Sequence, residues 1–232
     1  MPLPDRAFAA VLFDMDGTLI DSTAAIARSW TTFAVEQGIT REVFAQAHGH
    51  GRPAREIVRD LLVAQAAATG AGVDDAAVAA GFRRITDLEV ADVDDIVRLP
   101  GVAEALSVLP APRWAIVTSC DDDLAAARMR AAGLPAPQVL VTADSVHRGK
   151  PDPECFRLGA EGLGLDPADC LVVEDAPAGL TAGRAAGAAT LAVRTTHPEG
   201  PLDADEVVTT LADVRFRVEP DGVRVEVLRT AR

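Results

Sequence analysis

The stretch VLFDMDGTLID, Val11 to Asp21, sets two carboxylates two residues apart directly behind an apolar run. A short continuous run of apolar residues, without alternation, is the pattern of a strand buried on both faces, as in a parallel sheet. Ligands in open α/β sheets collect at the carboxyl ends of the strands. Asp14 and Asp16 therefore stand where such a fold builds a site. Two aspartates so placed would also serve merely to shape a turn before Gly17 and to cap the helix that follows.

Outward from this stretch the same signal recurs. AAVLF (9–13), WAIVT (114–118), QVLVT (138–142), CLVVE (170–174) and ATLAV (189–193) all have the character of buried strands. Helical patterns lie between the later four and stop at Gly133, Gly164 and Gly187. Strands alternating with Gly-terminated helices predict βαβ units, hence an α/β chain with a Rossmann-like parallel sheet covered on both faces. The segment from Ser22 to Asp95 breaks the rhythm, with apolar residues at helical spacing and no strand-like run. We read 22–95 as a helical cap inserted after the first strand, and 1–21 with 96–232 as the core. Pro100 and Gly101 mark the return to the core. Near the end, VRFRVEPDGVRVEVL alternates on both sides of Pro220-Asp221-Gly222, a hairpin signal.

The chain of 232 residues is 49% hydrophobic and 25% charged, enough for one large domain or one domain with an insertion. Its formal net charge of -13 works against a nucleic-acid partner, because a polyanion is bound by releasing its counterions to basic residues. Cys120, Cys155 and Cys170 are odd in number and form no C-x-x-C pair, which suits a reducing compartment. The opening MPLPDRAFAA has no basic segment followed by an apolar one, and no run approaches the ~18 apolar residues of a membrane span. A cytoplasmic protein without a membrane partner is expected. With no apolar heptad or docking helix in view, we expect a monomer.

Two further strand ends carry chemistry. Thr118 and Ser119 close one strand, and Glu174 and Asp175 close another, so three strand ends converge on one crevice. Clustered carboxylates are tolerable if a cation joins them, and an all-oxygen set suits Mg²⁺. Lys150 is the single lysine among 22 basic side chains. A compact ammonium, rather than the broad fork of an arginine, fits a small crevice that already holds a metal. One residue escaping a compositional bias by chance is the plain alternative.

DMDGTLIDS, VTS, GKPDPE and VVEDAPAGL, in that order, resemble the four signatures of the haloacid dehalogenase superfamily phosphohydrolases that carry a helical cap. The resemblance covers nearly the whole chain, least in the cap and the terminal hairpin. It implies that Asp14 is a nucleophile forming an aspartyl-phosphate. Asp16 would be the general acid toward the leaving alcohol and then the base for the incoming water. Mg²⁺ would be held by the Asp14 carboxylate, the Asp16 backbone carbonyl and Asp175, with Glu174 nearby. Thr118 and Ser119 would bind phosphoryl oxygens, and Lys150 would bridge the phosphoryl group and Asp14. The family's dehalogenases lack the second aspartate, so the presence of Asp16 implies phosphoryl transfer.

The need for two cations follows from Coulomb's law. A carboxylate at ~4 Å from a phosphate dianion meets roughly 4 kcal/mol of repulsion per charge pair at an effective dielectric of ~20. Left uncompensated over two pairs, that would slow the reaction by roughly six decades.

In the cap, AHGHGRPAREI (47–57) carries His48, His50 and Arg52 on a loop broken by Gly49, Gly51 and Pro53. Arg52 falls where related sugar-phosphate enzymes place a substrate-binding arginine, and His50 stands beside it as a candidate contact. A histidine next to glycine is also an ordinary turn residue. The nearest likeness is to phosphatases of small sugar and polyol phosphates, such as 2-deoxyglucose-6-phosphate and glycerol phosphate phosphatases. A phosphomutase resembling β-phosphoglucomutase is the alternative, followed by a non-catalytic relative that binds a sugar phosphate. Cys120 is a departure, since relatives usually carry a small residue or amide there. Asp121, Asp122 and Asp123 suit a helix N-terminus; facing the crevice instead, they would disfavour highly anionic substrates.

Overall fold

A computed structural model describes Leu3 and residues 6–47, 54–69 and 72–228. The chain first lays down β1 (Ala7–Phe8), β2 (Ala10–Phe13) and β3 (Ile20–Asp21). Four helices follow, α1 (Thr23–Glu36), α2 (Arg41–Ala47), α3 (Ala54–Thr69) and α4 (Asp75–Ala91), and then β4 (Val97–Arg98). The remainder runs α5 (Val102–Val108), β5 (Trp114–Val117), α6 (Asp122–Ala132), β6 (Leu140–Val141), α7 (Glu154–Gly162), β7 (Cys170–Glu174), α8 (Pro177–Ala185) and β8 (Ala189–Val193). It closes with β9 (Glu206–Val208), β10 (Val214–Glu219) and β11 (Gly222–Val227).

The apolar runs pair as a six-stranded sheet in the order β6-β5-β2-β7-β8-β9, parallel throughout. Every residue of β2, β5, β7 and β8 is buried, which is why these runs do not alternate. Along β2 the pleat sends Val11 and Phe13 into a core with Ile116, Leu171 and Leu191. Leu12 goes to the opposite face, among Val117, Phe156 and Val172. Helices cover both faces, as the predicted βαβ units require.

Several short elements were not anticipated, β1 among them. β9 is a three-residue, half-buried edge strand, too short for its pattern to stand out. β3 and β4 form a two-stranded antiparallel ribbon, Ile20 opposite Arg98 and Asp21 opposite Val97, through which the chain leaves and rejoins the sheet. α2 is a seven-residue helix within a stretch that lacked a long periodic signal.

α1 to α4 have a core of their own, built on Trp30, Phe33, Ile57, Leu61 and Ile85. The terminal hairpin forms with Glu219 opposite Gly222, so Pro220 and Asp221 alone make the turn, and β1 completes a β1-β11-β10 antiparallel sheet. Gly222 opens β11 with φ +146, where a Cβ would stand 2.5 Å from the Phe8 carbonyl oxygen. Only glycine fits there without moving β1.

Candidate active site

The carboxyl ends of β2, β5 and β7 lie side by side, and each delivers its polar residues to one crevice. After β2 the chain turns sharply, the N–H groups of Thr18, Leu19 and Ile20 all donating to Met15 O. Gly17 sits in this turn with φ +82, a conformation that favours glycine, and a Cβ there would collide with the Asp175 carboxylate. Close approach of the two strand ends therefore depends on the missing side chain.

Lys150 is 4% exposed and reaches three acceptors: Asp14 Oδ1 at 2.5 Å, Glu174 Oε1 at 2.8 Å and Val117 O at 3.2 Å. An ammonium has three protons to donate, and all three are used. Its loop is set by Glu154 at the start of α7, whose carboxylate accepts from the His147 and Arg148 N–H groups at 2.9 and 3.0 Å. The Phe156 ring lies 5.2 Å from the ammonium. Glu174 is equally constrained, its Oε2 accepting from Ala176 N at 2.7 Å. Asp175 accepts from Thr196 Oγ1, a contact the sequence did not signal because Thr196 lies in a loop beyond β8.

Asp14, Glu174 and Asp175 are all buried, with carboxylate oxygens within 4.8 Å of one another. Burial pushes the Asp14 carboxyl up to about 7 against the pull of Lys150, with Glu174 adding to the rise. Asp175 is pushed up to about 9 by burial, then by Glu174 and Asp14. Burial alone would push the Lys150 ammonium down, but Asp14 and Glu174 more than offset it and hold it above its ordinary value. One ammonium does not balance three buried carboxylates. The remaining negative charge, carried on hard oxygen atoms, fits a divalent cation.

Thr118 and Ser119, at the end of β5, line the same cavity as Asp14 and Lys150. Thr118 Oγ1 accepts from Cys120 N at 3.1 Å, while Ser119 is exposed. Ile26 and Trp30 of α1, Ile57 of α3 and Glu89 of α4 form the far wall. A second cavity opens from Thr118, Ser119 and Lys150, and Arg55, Arg59 and Arg148 line it together with Glu56 and Asp144. Asp121 caps α6, accepting from Leu124 N at 2.9 Å, and Asp122 accepts from Thr142 Oγ1 at 2.6 Å. None of Asp121, Asp122 and Asp123 lines the cavity that holds Asp14 and Lys150. His48, His50 and Arg52 lie outside the described residues.

Asp16 is placed differently from Asp14. Its Oδ1 accepts from Ser22 Oγ at 2.6 Å and from Arg128 Nη1 at 2.9 Å, and its Oδ2 accepts from Cys120 Sγ at 3.1 Å. Arg128, 3% exposed, also donates to Glu89 Oε1 at 3.2 Å. Burial pushes the Glu89 carboxyl up to about 6. Neither residue belongs to a contiguous motif, yet the sequence does carry a signal for both. Arg128 shares a buried stripe with Leu124, Ala125 and Ala132, and Glu89 one with Val78 and Ile85, so each is a charge on an apolar face.

The sequence profile of the haloacid dehalogenase-like hydrolases matches residues 8–187. The chain is 41% identical to hexitol phosphatase A of Escherichia coli, over 91% of this chain and 95% of that protein. It is 30% identical to 2-deoxyglucose-6-phosphate phosphatase 1 of Saccharomyces cerevisiae, over 93% and 94%. A solved hydrolase from Pseudomonas syringae superposes with a TM-score of 0.76 at 25% identity, covering 88% of this chain and 95% of that one. Agreement along so much of the chain, with a cluster of buried carboxylates at the strand ends, makes this protein a member of the haloacid dehalogenase-like hydrolase family.

Proposed function

We propose that the protein is a Mg²⁺-dependent phosphatase that hydrolyses a small sugar or polyol phosphate through an aspartyl-phosphate on Asp14. The observation that carries this reading is the 2.5 Å contact of Lys150 with Asp14, beside two more buried carboxylates and next to Thr118 and Ser119. The names of the relatives direct the substrate class toward hexitol and deoxyhexose phosphates.

Asp14, Glu174 and Asp175 would hold the cation, with the Asp16 carbonyl; when bound, it supplies positive charge beside the phosphoryl oxygens. Thr118 and Ser119 receive the phosphoryl group at the β5 end, and Lys150 offsets charge between it and Asp14. An Asp14 oxygen bonds to phosphorus as the bond from phosphorus to the ester oxygen breaks. Asp16 gives its proton to the departing alcohol. It then takes one from the water that attacks the aspartyl-phosphate, freeing Asp14 and inorganic phosphate.

Residues 22–95 act as the cap over a core made of 1–21 and 96–232, and Trp30, Ile26 and Glu89 give it a wall of the cavity. His50 and Arg52 extend the cap's contacts to substrate. The three free, buried cysteines suit the cytoplasm. Among the described residues no helix is long and apolar enough to cross a membrane. The net charge of -13 disfavours nucleic acid, and among the described residues few large apolar side chains are exposed, as suits a monomer.

A panel of sugar, polyol and nucleotide phosphates, assayed for phosphate release with and without Mg²⁺, tests the proposal. Release from a hexitol or deoxyhexose phosphate that stops with chelator is expected. No Mg²⁺-dependent release from any ester, or full activity in Asp14→Asn, would end it.

A further inference from the structure

The two oxygens of Asp16 are anchored unequally. Oδ1 is fixed by two strong donors, the Ser22 hydroxyl and the Arg128 guanidinium, whereas Oδ2 faces a thiol, which is a weak donor. Oδ2 is therefore the oxygen most readily surrendered to a substrate group. Arg128 is itself deeply buried, and a guanidinium out of water is retained where carboxylates compensate it. Its two carboxylates come from different parts of the molecule: Asp16 from the turn after β2, and Glu89 from α4. All three side chains line the cavity that holds Asp14 and Lys150.

We propose that Arg128 is a positioning residue for phosphoryl transfer. With Ser22 it holds Asp16 by Oδ1 so that Oδ2 is presented to the ester oxygen, and Glu89 makes this orientation depend on the cap being seated against the core. The inference rests on the phosphatase reading above. As the bond between phosphorus and the ester oxygen breaks, the proton on Oδ2 passes to that oxygen. The charge left on Asp16 then lies against the guanidinium, already in place and needing no reorganisation. A wrongly aimed acid costs most where the leaving group most needs a proton.

The test compares two esters on one protein sample with Mg²⁺: a hexitol phosphate, whose alkoxide needs protonation, and 2,4-dinitrophenyl phosphate, whose phenolate does not. Because the readout is the ratio of their kcat/KM values, any inactive fraction of a variant cancels. General acid catalysis is typically worth 10²–10⁴-fold, so Arg128→Met is expected to lower the hexitol-to-aryl ratio by ~100-fold. Arg128→Lys, which keeps the charge without the fork, should lower it by ~10-fold, and Glu89→Gln by a few-fold. An unchanged ratio in both Arg128 variants, whatever the absolute loss, would overturn the positioning role. An unchanged ratio in Glu89→Gln would overturn the dependence on the cap. If the wild type cleaves neither ester, or Asp14→Asn remains active, the phosphatase reading itself fails, which is a distinct result.

Discussion

Lys150 Nζ stands 2.5 Å from Asp14 Oδ1, and the same nitrogen spends its other two protons on Glu174 and Val117 O. The ammonium is thus locked against the proposed nucleophile rather than sampling the crevice. Removing a preorganised donor of this kind costs ~10²–10³-fold in kcat. Lys150→Ala should lose at least that much phosphate release, and Asp14→Asn should lose turnover altogether. Lys150→Arg should fail to rescue, because a planar fork cannot replace three converging N–H donors in a buried pocket. Wild-type rates in Lys150→Ala would show that the charge-balance account is wrong.

Metal binding and pH are linked through Asp14 and Asp175. Their carboxyls, near 3.8 when the chain is unfolded, are raised to about 7 and about 9, chiefly by burial and then by neighbouring carboxylates. The folded state therefore holds protons that the unfolded state has already released. The stability these groups contribute is fully present below pH ~4 and is lost as pH climbs through 7 and then 9. A divalent cation takes the place of those protons, so the gain in Tm on adding Mg²⁺ should be small at pH 5 and grow steadily toward pH 9. Thermal melts with and without Mg²⁺ across that range check it. A gain independent of pH would mean that the cation does not bind these carboxylates.

Gly17 tests how closely two strand ends must approach. In Gly17→Ala the new methyl group would be forced into the Asp175 carboxylate and to within 2.8 Å of Thr196 Cγ2, at a φ of +82 that alanine avoids. Strain of this kind costs ~1–3 kcal/mol. We expect a lower Tm together with weakened Mg²⁺ affinity by calorimetry. Unaltered metal affinity would separate the turn from the metal site.

Phosphatase and phosphomutase readings diverge in their product. A mutase must keep water from the aspartyl-phosphate long enough to return the phosphoryl group to sugar. Phosphorus NMR of a reaction with a hexose phosphate should show inorganic phosphate rising in step with ester loss. Accumulation of an isomeric ester instead would favour the mutase.

Legibility in the sequence followed from local chemistry. The central strands announced themselves because a run buried on both faces cannot hide its composition. The family resemblance rested on short contiguous motifs, and the profile and relatives agree with it. Asp14, Thr118, Lys150, Glu174 and Asp175 could each be named from such motifs, and the structure gathers them at one set of strand ends. What escaped notice depends on long-range pairing. β3 and β4 are two residues each and exist through one another. Arg128 meets Asp16 across 112 positions and Glu89 across 39. Only the helical stripes on which Arg128 and Glu89 fall hinted that they are inside.

The ribbon of β3 and β4 has a consequence for how such a protein changes over generations. Everything between its two strands is one uninterrupted length of chain with its own apolar interior. Asp14, Asp16, Lys150, Glu174 and Asp175, to which we assign the chemistry, come from stretches on either side of it. On the proposed reading, drift within that insert, outside the Ser22 and Glu89 that bear on Asp16 and Arg128, redirects the enzyme toward a different alcohol while the residues outside it are inherited unchanged.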